Sequence, residues 1–76
     1  MYDEELEFDF HPMMKRDLAV LYAENLTPRA AVNRLRCWIE RNPALLEELL
    51  ANGYRKTSRL LTAMQVRIIV KHLGEP

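Results

Sequence analysis

Seven polar side chains are spaced to act in groups. Arg29, Asn33 and Arg36 recur at i, i+4 and i+7, with Arg34 on the shoulder, so a helix through them turns a basic, amide-bearing face to solvent. Arg55, Lys56 and Arg59 follow in a stretch that holds five bases and no acid between Glu48 and Glu75. A guanidinium fork matches O6 and N7 of guanine, and a carboxamide matches N6 and N7 of adenine. Exposed cations also neutralise phosphates. These residues are therefore suited to double-stranded DNA. A solvated charged face, or a surface for a protein partner or second copy of the chain, is the competing reading.

Other chemistries are poorly supplied. Cys37, His11 and His72 are the candidates for a Cys-His pair, and they follow no nucleophile signature. One cysteine and two distant histidines fall short of the four ligands of a structural zinc site. The N-terminal acids lack the spacing of a calcium loop, and neither of the two glycines belongs to a phosphate-binding loop. No enzyme activity, cofactor, metal or small-molecule substrate is expected.

At 76 residues the chain is expected to form a single domain, residues 1–76, with a modest core. Its 49% hydrophobic and 29% charged residues fit a globular protein. Net charge is zero, but residues 1–10 hold five acids and no base, while residues 11–76 hold eleven bases against six acids. A basic body with an acidic arm is compatible with nucleic acid and with self-shielding. The lone cysteine, the short apolar runs and the absence of a signal-peptide pattern lead us to expect a cytoplasmic protein with no membrane span.

The elements that must position these side chains follow from periodicity and caps. Residues 5–10 alternate acid and apolar, which predicts a strand, with an acidic tail as the alternative. A helix is expected from Pro12 to about Ala23, burying Met14, Leu18, Leu21 and Tyr22 and leaving Lys15, Arg16 and Asp17 in water. Asn25 is expected to close it in a left-handed conformation. Thr27-Pro28 then opens a helix over 28–41, burying Ala31, Val32, Leu35, Trp38 and Ile39. Asn42-Pro43 ends it, a leucine-rich helix spans 44–51 with Glu47 and Glu48 facing water, and Asn52-Gly53 closes that. Residues 54–61 read as an extended basic segment, its last five residues pairing with 5–10. Tyr54 is read as a lid over the core, with a stacking residue as the alternative. Thr62 and Gln65 make a capping box for a helix over 63–73. The expected core is Leu18, Leu21, Val32, Leu35, Trp38, Ile39, Leu46, Leu49, Val66, Ile69 and Val70. For Trp38 a dimer contact is the alternative.

The order helix, turn, helix, short helix, basic arm, capped helix resembles the small winged helix-turn-helix domains of excisionase and MerR type. The arm here is YRKTSRLLT, without the glycine usual at a wing tip. That resemblance implies a mainly α (α+β) fold of about four helices with a short strand paired to a wing. It also implies a recognition helix at 28–41, a basic wing at 54–61, and an accessory or regulatory role tied to a mobile element. The segments KRDLAVLY, RCWIERNPALLEELLANGY and LLTAMQVRIIVKHLGEP are similar to a small bacterial family, found mainly in Bacteroidales, whose members end in LGEP and form a domain of unknown function. That similarity implies a complete, cytosolic chain and no assigned site residues, and leaves DNA and protein partners both open.

Overall fold

Three polar residues divide the chain into its helices. In the computed structural model, which describes residues 10–76, Thr27, Asn42 and Thr62 each take an extended conformation, and each side chain accepts a backbone N–H three residues on. The acceptor distances are 3.2, 3.2 and 3.1 Å. These caps satisfy donors that the first helical turn leaves orphaned. They open α2 (Pro28–Glu40), α3 (Pro43–Ala51) and α4 (Ala63–Leu73). At Thr62 the box is complete, since Gln65 Oε1 accepts from the Thr62 N–H at 3.1 Å. The Gln65 amide also donates to the Asn52 carbonyl at 2.8 Å, joining the start of α4 to the end of α3. Gly53 follows with φ +85°, a conformation open to glycine, and turns the chain so that Tyr54 N–H reaches the Leu49 carbonyl at 3.0 Å.

The remaining helix, α1 (Lys15–Tyr22), has no side-chain cap. A strand holds its start instead. β1 (Met13–Met14) runs antiparallel to β2 (Leu60–Leu61), with Met13 opposite Leu61 and Met14 opposite Leu60. The Lys15 N–H extends the ladder to the Arg59 carbonyl at 2.7 Å. Among the described residues the fold is thus mainly helical, with four helices and one short strand pair. α1 packs chiefly on α2, and α3 bridges α2 and α4. The fully buried centre is Leu18, Leu35, Ile39, Leu45, Leu49, Leu61, Val66 and Ile69. Val32, Trp38 and Leu46 pack half-buried against it, and Tyr54 covers it as a lid.

Several expectations are corrected. The strand predicted at 5–10 lies outside the described residues except for Phe10, which is not in a strand; the segment that pairs with 60–61 is Met13–Met14. That pairing delays α1 to Lys15 and shifts its buried face. Lys15, Leu18, Ala19 and Ala23 are buried, whereas Leu21 is 47% exposed. Asn25 has no positive φ, because α1 ends instead at Ala23, which closes back onto the Ala19 carbonyl. Glu48 does not simply face water: its carboxylate takes Lys71 Nζ and His72 Nε2, each at 2.9 Å.

Those two contacts clip α3 to α4. The hydrogen bond from Lys71, then that from His72, holds the Glu48 carboxyl below the usual carboxylate range. A folded-state pKa below the unfolded one means that this contribution is whole above the ordinary Glu value, about pH 4.3, and is lost as pH falls through the lowered value. We expect Glu48→Gln to lower Tm at neutral pH and to make the fall in Tm between about pH 5 and 3 shallower than in the wild type. Thermal unfolding followed by circular dichroism across that range checks it; parallel curves would show that the clip contributes nothing.

Candidate functional site

α2 presents the first group as its spacing requires. Arg29, Asn33, Arg34 and Arg36 are all exposed. Asn33 and Arg36 meet, with the guanidinium donating to the Asn33 Oδ1 at 3.2 Å. Among the described residues no carboxylate forms an ion pair with Arg29, Arg34 or Arg36. Arg29, Asn33, Arg36 and Glu40 form one stripe, whereas Arg34 stands about 100° round the helix from Asn33, on the side away from Val32. Arg34 thus stands on the shoulder of α2, where its spacing places it.

The second group is carried by a turn. Ser58 N–H donates to the Arg55 carbonyl at 2.9 Å, and Arg55 N–H donates to Ser58 Oγ at 3.0 Å. This reciprocal pair closes residues 55–58 and leaves Arg55, Lys56 and Arg59 exposed. The turn is bound to α2 by the Lys56–Glu40 ion pair, 3.8 Å, between largely exposed groups. Such a pair contributes little stability, so it sets position more than it holds the fold.

Beneath the turn lies a feature absent from the sequence reading. Lys15 is only 4% exposed. Its Nζ donates to Tyr54 Oη at 2.6 Å and to the Lys56 carbonyl at 3.4 Å, and lies 4.8 Å from the centroid of the Tyr54 ring. Among the described residues no carboxylate pairs with it. Burial first, and Arg36 second, push the Lys15 ammonium below the ordinary lysine range, with Glu40 acting the other way. Burial first, and Glu40 second, push the Tyr54 phenol up. A groove of about 280 Å³ opens beside this pair, lined by Met14, Lys15, Arg16, Val32, Ser58 and Arg59.

The structure therefore gathers Arg59 of the turn with Lys15, Arg16 and Ser58 around one groove, and sets Arg36 and the Lys56 carbonyl near the Lys15 ammonium; Lys15, Arg16 and Ser58 are the ones that sequence reasoning left out. A signal for Lys15 exists: with a helix starting there, Lys15, Leu18, Ala19 and Tyr22 fall at i, i+3, i+4 and i+7. Ser58 and Arg16 give no such signal, because their approach is made by the strand pairing. Phe10 lies elsewhere, against α4, with the Arg67 guanidinium 5.5 Å from its ring centroid. Among the described residues no three His, Cys, Asp or Glu side chains gather as metal ligands would, and no helix is long and apolar enough to cross a membrane.

A family model matches residues 10–76, nearly the whole chain, so the protein belongs to the family described as a domain of unknown function (DUF4248). No curated protein and no solved structure matches it.

The hydrogen bond from Lys15 to Tyr54 is testable in isolation. Lys15→Met keeps the aliphatic stem but orphans a buried hydroxyl, and is expected to cost about 1–3 kcal/mol. Adding Tyr54→Phe removes the second polar group and should bring stability back to within about 1 kcal/mol of wild type. Urea unfolding of the two single variants and the double variant measures this; simple additivity of the two losses would mean that the contact is not coupled.

Proposed function

We propose that this protein is a non-enzymatic DNA-binding accessory or regulatory protein built on a helix-turn-helix, α1–α2, with the 55–59 turn in the place of a wing. The observation that carries this reading is the outward stripe of α2. Arg29, Asn33 and Arg36 are exposed and unpaired with any described carboxylate, and they run toward a turn that adds Arg55, Lys56 and Arg59. A helix diameter with side chains of about 10–12 Å suits the major groove, about 12 Å wide. In that placement Arg29, Asn33 and Arg36 face base edges, while Arg34, round the side of the helix, and the cations of the turn face phosphates. A mobile-element role rests on the excisionase likeness alone, and a cytoplasmic location accords with such a partner.

A protein partner, or a second copy of this chain, is the other reading. It is favoured by one specific observation: Met14, Leu60 and Met64, near the strand pair, are 37%, 59% and 53% exposed.

The two readings differ in salt dependence. For DNA binding, fluorescence anisotropy of a labelled mixed-sequence duplex should show a Kd in the micromolar range or tighter at about 50 mM salt, weakening steeply toward 200 mM. Arg36→Ala should weaken binding about tenfold, in keeping with roughly 1–3 kcal/mol for a base-edge contact. No binding at low salt would rule out the DNA reading.

A further inference from the structure

The groove between the start of α1 and the 55–58 turn is lined by a buried lysine that forms no ion pair among the described residues. Lys15 is almost entirely buried, yet its hydrogen-bond partners are a phenol and a carbonyl, both neutral. Charges taken out of water are normally paired, because an unpaired one costs several kcal/mol in effective desolvation. Of its charged neighbours, Arg36 adds to the positive potential and Glu40 offsets part of it. Arg16 and Arg59 line the same groove and are exposed, and Arg36 lies close enough to disfavour the Lys15 charge further. The nearby carboxylates are engaged: Asp17 lies 3.9 Å from the Arg16 guanidinium, and Glu40 is held by Lys56. The groove wall is completed by the Ser58 hydroxyl and by the apolar Met14 and Val32.

We propose that this groove is a binding site for a phosphate group. The phosphate would neutralise Lys15 at short range, take a guanidinium from each side through Arg16 and Arg59, and accept a hydrogen bond from Ser58. Guanidinium groups suit phosphate because their N–H donors match two oxygens at once. The volume, about 280 Å³, accommodates a phosphate with a small substituent against Met14 and Val32, and is too small to enclose a large cofactor. Two sources share this chemistry, the backbone of a nucleic acid and a free phosphate or phosphate monoester. The site stands on the buried cation and its neighbours, and it does not require that α2 read bases.

The test uses the full chain and two probes, inorganic phosphate and the mixed-sequence duplex, with chloride controls at matched ionic strength. Inorganic phosphate at ten times its Kd should raise Tm by roughly 6–10 °C, as expected for a ligand of the folded state alone in a domain this small. The paired substitution Arg16→Ala, Arg59→Ala changes two exposed side chains and should abolish that rise while leaving the circular dichroism spectrum unchanged. Ser58→Ala should weaken it severalfold. A response to inorganic phosphate identifies a free phosphate as sufficient; a response to the duplex alone, lost in the paired variant, identifies the nucleic-acid backbone. The proposal is overturned if neither probe stabilises the protein, if matched chloride reproduces the rise, or if the paired variant responds like wild type. Arg29→Ala with Asn33→Ala separates this site from the DNA reading: loss of duplex binding with the phosphate response intact leaves both standing. Duplex binding untouched by that α2 pair rules out the recognition-helix role and leaves the groove to be judged on the paired Arg16 and Arg59 substitutions.

Discussion

Burial of Lys15 is the constraint on which the arrangement turns. α1 is only eight residues long and begins without a side-chain cap, and an isolated helix of that length is unstable in water. Its start is fixed from outside, by the backbone bond from Lys15 to Arg59 and by the ammonium bonded to Tyr54. Both contacts reach into the segment that connects α3 to α4, about forty residues away in sequence. The same residue therefore joins the two ends of the fold, orients the turn that carries Arg55, Lys56 and Arg59, and forms the floor of the groove. A chain of 76 residues has little apolar core to spend on such a junction. A polar contact with specific geometry performs that task here, at the expense of taking most of a lysine side chain out of water.

Much of the helical framework was legible because its signals are local. Thr27-Pro28, Thr62 with Gln65, and Asn52-Gly53 each act within three or four residues, and each sits where spacing placed it. The departures are non-local. β1 forms because Met13–Met14 meets Leu60–Leu61, and nothing within residues 12–16 announces that partner. Once the pairing delays α1 by three residues, the buried stripe rotates, Ala19 enters the core, and Leu21 moves into solvent. The charge of Lys15 predicts a place in water, although its position on the stripe points inward. Leu61 and Ile68, both buried, were overlooked for a related reason: one lies in a short strand without visible period, the other beside a stripe already filled by Val66, Ile69 and Val70.

The candidate site divides along the same line. Exposure of Arg29, Asn33 and Arg36 follows from helical geometry alone, and so was readable. The company they keep was not. Arg16, Ser58 and Arg59 converge on one groove because a strand pair, a four-residue turn and a helix start meet there. Arg34 was readable in the same way as the stripe: a single residue step of about 100° puts it on the shoulder of α2, beside Arg29, Asn33 and Arg36.

The chain has a single tryptophan, and it stands at the contact between α1 and α2. Trp38 meets Tyr22 edge to face, with ring centroids 6.0 Å apart and planes at 80°. Tyr22 in turn donates its hydroxyl to the Gly74 carbonyl, just beyond α4. Intrinsic emission from this protein is therefore a reporter of one place, the junction at which α1, α2 and the end of α4 come together, while its ellipticity reports all four helices. Release of α1 from α2 would move the indole into water and shift its emission to the red before most of the helix is lost. Coincidence of the two signals during unfolding would mean that the shortest helix leaves only when the whole domain does.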